Sequence, residues 1–147
     1  MAAVRFFSVL FAALAFAPAA AHLLELPNKI GLSRDDYFVA QQLYRGWAML
    51  AVVVLPAVAL ALLHAIVVRR QRTAFRLAAA AFCCLVGTQV LFWAFTFPAN
   101  QLTANWTVAP HDWAALRAQW EYSHAASALL NLVALAALIA SLLVREK

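Results

Sequence analysis

Two short pairs of side chains combine a carboxylate with an imidazole, His22-x-x-Glu25 and Glu121-x-x-His124. Residues three apart on a helix are neighbours on one face, and a Glu-x-x-His pair is one that helical bundles use to hold metal ions in their cores. His22, Glu25, Glu121 and His124 together suit Zn, Fe or Mn better than a soft metal, because no thiolate accompanies them. The first pair runs in the reverse order, so a second chemistry stands beside the metal. In it His124 or His22 is a general base, and Arg117 or Arg45 holds the oxyanion formed when a substrate loses a proton. The bland alternative is that all four mark the end of the hydrocarbon, with Glu25 and Glu121 solvated or paired to Arg45 and Arg117.

What must position these pairs is a set of long apolar blocks. Of 147 residues, 67% are hydrophobic and 12% charged, against roughly 45–50% apolar in soluble domains. A bilayer core of about 30 Å takes roughly 20 apolar residues per helix. Blocks over 6–24, 43–68, 75–97 and 122–144 each suffice, and no second domain fits in what is left of 1–147. The expected fold is an all-α integral membrane four-helix bundle. Asp112 at an N-cap, with Trp113, Leu116 and Trp120 on one face, predicts a short interfacial helix ahead of the fourth span.

The net charge of +5 rests on 11 Lys and Arg. Four of them, Arg69, Arg70, Arg72 and Arg76, sit in one short connection, which membrane topology explains better than a nucleic-acid partner. The face with that loop and both termini carries Arg5, the four loop arginines, Arg145 and Lys147; the opposite face carries Lys29, Arg34, Arg45 and Arg117. The positive-inside rule then predicts both termini in the cytoplasm, and the alanine-rich chain reads as a bacterial inner-membrane protein. The first block has a competing reading as a secretory signal cleaved after Ala21; its length favours a retained helix. Cys83 and Cys84 are adjacent in an apolar block and form no redox or metal pattern. His64, beside the arginine loop, reads as an inner-surface residue.

Ionisable residues inside membranes are costly, so their placement is informative. All four blocks become polar at the same end, through His22 and Glu25, Gln41 to Arg45, Thr96 and Asn100, and Glu121 to His124. A closed bundle would gather these ends around one pocket, walled by Trp93, Trp106, Trp113 and Trp120. Adjacent first and fourth helices would bring the His/Glu pairs together; diagonal ones would separate them.

The run Phe97-Pro98-Ala99-Asn100 through Trp106, Pro110-x-Asp112-Trp113, Leu116-Arg117 and Trp120-Glu121-x-x-His124 resembles the anthrone-oxygenase-like family of small four-helix membrane proteins. The likeness implies, for that family's polyketide-pathway members, oxidation of an anthrone to an anthraquinone by O2 without metal or flavin. It also implies a site lined by Asn100, Trp113, Arg117, Trp120 and His124, with His124 as the base. An oxidoreductase acting on an aromatic lipid-soluble ligand without a cofactor is therefore one expectation. A non-catalytic subunit binding a metal or haem through His22 and His124 is another. A small transporter or accessory subunit is a third, for which a charge deep in mid-span would be expected, and the sequence has none there. Assembly as a homo-oligomer or within a membrane complex is left open.

Overall fold

A computed structural model of the chain describes residues 1–144; Arg145 and Lys147, counted above on the cytoplasmic face, lie outside the described residues. The elements are α1 (Ala2–Lys29), α2 (Arg34–Gln41), α3 (Ala51–Val67), α4 (Arg72–Leu91), α5 (Phe97–Leu102) and α6 (Trp113–Leu143), with no strand among the described residues. Five residues, Phe92–Thr96, form a wide π turn that joins α4 to α5 without a break. Four stretches are long and apolar enough to cross a membrane: α1, Trp47–Val67, Arg72–Leu102 and α6. The molecule is an all-α, multi-pass membrane protein.

Around the bundle, α1 packs on α3 and α6, and α4 packs on the same two. The first and fourth spans are thus neighbours. Lipid offers helices no hydrophobic reason to associate, so close packing of small side chains takes that role. The buried stripes are accordingly alanine-rich: Ala57 and Ala61 on α3, Ala74, Ala78 and Ala81 on α4, and Ala134 on α6 are all fully enclosed. Large side chains such as Leu55, Val90 and Leu129 face outward. At Gly87 of α4 an added Cβ would lie 3.2 Å from Leu130 Cδ1 of α6, a close approach that glycine permits.

Two differences from the sequence expectation stand out. The segment expected as a separate interfacial helix is the start of α6, which runs unbroken for 31 residues. At 1.5 Å per residue it outruns the ~30 Å hydrocarbon core, so its first turns stand beyond the apolar slab. Asp112 does sit at the N-cap, but its backbone carbonyl and not its side chain receives the helix hydrogen bonds. The second difference is α2, which lies across this end of the bundle. Ser33 caps it, accepting from the Asp36 backbone N–H at 3.3 Å, and Asp35 and Asp36 sit in its first turn, where the helix dipole favours them.

At the opposite, arginine end, His64 is not an inner-surface residue but fully buried. Its Nδ1 lies 2.7 Å from Ser8 Oγ, and Ser8 Oγ donates to the Arg5 carbonyl at 2.8 Å. Ser141 Oγ stands 3.4 Å from Nε2 and donates to the Ala74 carbonyl at 3.0 Å. Side chains from α1, α3 and α6 and a carbonyl of α4 are tied together there.

Candidate functional site

A cavity of about 710 Å³ occupies the α2 end and extends into the bundle. His22 reaches it from α1 and His124 from α6, with ring centroids 4.2 Å apart. Trp120 packs edge-on against His22 at 5.0 Å and beside His124 at 4.1 Å. Tyr44 and Trp47 flank His22 from the far side, at 4.6 Å and 5.3 Å. The His22 Nδ1 is buried without a hydrogen-bond partner among the described residues.

Asn100 on α5 forms the opposing wall. Its Oδ1 accepts from Trp106 Nε1 at 3.1 Å and from Trp120 Nε1 at 2.9 Å. Two indole donors fix which end of the amide is oxygen. Nδ2 is the end left for a ligand. Trp106 is held in turn by a turn in which Ala104, Asn105 and Trp106 all have positive φ, of 47°, 55° and 63°. Left-handed conformation costs a non-glycine residue ~1–2 kcal/mol. Here the turn is anchored by Trp106 N–H donating to Thr103 Oγ1 at 3.1 Å and by Gln42 Nε2 donating to the Trp106 carbonyl at 3.1 Å.

Behind the histidines lies a buried charged cluster. Lys29 is 6% exposed and Glu121 is 1% exposed, and their charged atoms are 3.1 Å apart. Lys29 also donates to the Tyr44 hydroxyl at 2.8 Å and stands 3.7 Å from Glu25. Tyr44 donates to Glu25, and Tyr37 donates to Glu121 at 2.9 Å while receiving Gln41 Nε2. Burial and then the Glu121 carboxylate hold the Tyr37 phenol well above its ordinary range. Burial and the hydrogen bond to Glu25 do the same for Tyr44. Both hydroxyls therefore stay protonated and donating.

The four residues read as one ligand set are divided by this arrangement. His22 and His124 meet at the cavity, while Glu25 and Glu121 turn to Lys29 and the tyrosines. Among the described residues no group of three or more His, Cys, Asp or Glu is placed to hold a metal ion. Two imidazoles are one donor short of the usual catalytic zinc set. Arg117 is also displaced from its expected role: it donates to the Leu32 carbonyl at 2.7 Å and stacks over Trp113 at 4.7 Å, outside the cavity. Arg45 stays at the cavity's edge, exposed, bonded to Gln42 Oε1 at 2.7 Å.

Of the four tryptophans expected as walls, Trp106 and Trp120 line the cavity. Trp93 is 61% exposed and packs on Phe92 and Phe97 at the lipid surface. Trp113 packs on Tyr37 and Phe38 in the cap formed with α2. Lys29, Tyr37 and Trp47 are contributors that the sequence reading passed over. Lys29 had a visible signal, lying four residues after Glu25 and seven after His22 on a common helix face. Searches against family models, curated proteins and solved structures returned no match to this chain.

Proposed function

We propose that the protein is an oxygenase of the anthrone-oxidising type, seated in the bacterial inner membrane with both termini cytoplasmic and its pocket toward the outer face. One observation carries the reading: a cavity of about 710 Å³ lined by His22, His124, Trp120 and Asn100, with the Asn100 Oδ1 taken by the Trp120 and Trp106 indoles and its Nδ2 left over. That volume lies in the ~300–1,000 Å³ range of small-molecule sites. The excess of basic residues around the Arg69–Arg76 loop supports the orientation.

In this reading a flat aromatic ketone lies against Trp120, and His124 takes a proton from its activated methylene carbon. The carbonyl becomes an enolate, and Asn100 Nδ2 donates to the new oxyanion, the role first considered for Arg117 or Arg45. The electron-rich enolate reduces O2. One oxygen atom is kept as the second carbonyl, and the other leaves as water with the two methylene hydrogens. Since O2 is the oxidant, the balance requires no bound cofactor.

Purified protein in mild detergent should convert anthrone to anthraquinone, with O2 uptake in equal amount, well above autoxidation in buffer. Rates equal to the buffer blank would remove the proposal. The nearness of the two imidazoles favours a second reading, a subunit that binds a metal or haem there. Metal analysis and an optical spectrum separate the two, since stoichiometric metal or a haem band would displace the cofactor-free chemistry.

A further inference from the structure

The cavity does not end at the histidines. Following α6 inward, Asn131 also lines it, seven residues beyond His124 and so on the same face, about 10 Å further along the axis. Thr88 and Gln89 line it from α4. Asn131 is 7% exposed, and its one hydrogen bond among the described residues runs from Nδ2 to the Ser127 carbonyl, 2.9 Å. Gln89 Nε2 donates to Thr88 Oγ1 at 3.1 Å, and Thr88 Oγ1 donates to the Leu85 carbonyl at 2.7 Å. Each carboxamide has two donors and two acceptor sites, and among the described residues neither Oδ1 of Asn131 nor Oε1 of Gln89 has a hydrogen-bond partner.

Unpaired amide groups at hydrocarbon depth are expensive. Between them and the histidines the wall is largely apolar, formed by Ala15, Pro18, Val54 and Phe92, with Ser127 of α6 its polar member. The ionisable side chains on the cavity wall, His22, Tyr44, Arg45 and His124, all lie at the α2 end. The chamber therefore has two polar poles, an imidazole–amide pole and a neutral double-amide pole, separated by a largely apolar waist in which Ser127 is the polar residue. Water can satisfy the inner amides in the empty site, but a ligand that displaces it must replace those bonds or lose affinity.

We infer that the ligand is a rigid, uncharged, elongated aromatic carrying hydrogen-bonding groups at both ends, its far hydroxyl donating to Asn131 Oδ1 or Gln89 Oε1. The inference rests on the aromatic-ligand reading above and narrows it. It makes Asn131 and Gln89 specificity residues that touch the end of the ligand remote from the reacting carbon.

The test compares para,para′-biphenol with para-phenylphenol, which share a shape and differ by the second terminal hydroxyl. Binding to protein in nanodiscs is read from quenching of the cavity tryptophans. The biphenol should bind roughly 10-fold more tightly, as expected for a well-made buried hydrogen-bond pair. Asn131→Leu and, independently, Gln89→Leu should bring the ratio toward one while para-phenylphenol binding persists, which also shows that the variant is folded. The ratio compared across variants cancels partition of the probes into lipid. A ratio near one in the unaltered protein, or a ratio unmoved by both substitutions, would overturn the inference. Loss of anthrone oxidation with the ratio intact would instead count against the oxidation chemistry alone.

Discussion

Histidines sit at both ends of this bundle, and their surroundings differ in kind. At the arginine end, His64 is enclosed, bonded to Ser8 and faced by Ser141, and does not line the cavity. At the α2 end, His22 and His124 pack against each other and against Trp120, line a cavity, and leave His22 Nδ1 without a partner among the described residues. Buried polar groups are normally satisfied, and an unsatisfied one calls for an explanation. The difference teaches that residue type does not mark a site in a membrane bundle. Unfilled hydrogen-bonding capacity beside empty volume does.

The largest effect expected is at the charged cluster that backs the cavity. Replacing Lys29 by Met leaves the Glu121 carboxylate buried and unpaired, which costs ~3–5 kcal/mol. Thermal unfolding in detergent should show a large drop, and combining Lys29→Met with Glu121→Leu should recover much of it. Additive losses in the double variant would show that the two charges are not coupled.

His64→Ala comes next. It removes the buried imidazole that joins Ser8 to Ser141 and leaves a cavity in its place, and should destabilise the bundle by ~1–3 kcal/mol, with ligand binding at the α2 end unchanged. Loss of binding with stability intact would reverse the assignment of the two ends.

The pH response sharpens the same contrast. Tyr37 and Tyr44 both have folded-state pKa values raised above the ordinary ~10 of a free phenol. Their contribution is therefore fully present below about pH 10 and is lost as the pH rises from there toward the folded values. Alkali should loosen the α2 end, and Tyr37→Phe with Tyr44→Phe should reduce that alkaline sensitivity. An alkaline transition unchanged in the double variant would assign it elsewhere. The smallest effect is expected at Arg45. Its guanidinium is exposed, and Arg45→Ala should shift stability by no more than ~0.5 kcal/mol.

The spans were legible because the bilayer demands long apolar runs, and those runs are present in the chain. The pairing of His22 with His124 was half legible. Spacing put each on a defined face, but the adjacency of α1 and α6 comes from packing that no local pattern encodes. Trp93 was misplaced because it sits in the π turn Phe92–Thr96, whose extra residue rotates the helix face that a regular period would extrapolate. The α2 helix had a signal, the Ser33-x-x-Asp36 cap, overshadowed by the apolar blocks on either side. The two glutamates were expected at the cavity from their three-residue spacing to the histidines, and Arg117 from the family likeness and its charge. The ion pair to Lys29 and the bond to the Leu32 carbonyl that hold them elsewhere are tertiary contacts.

The claim that the α2 end is the working site and the arginine end a structural clasp is tested most directly by anthrone-dependent O2 uptake in three proteins: unaltered, His124→Ala and His64→Ala. The account predicts a loss of about 100-fold or more in His124→Ala, the scale of a general base, with its unfolding temperature nearly unchanged. His64→Ala should keep its activity at temperatures where it is folded. Uptake that survives in His124→Ala, or that falls equally in both variants, would contradict it.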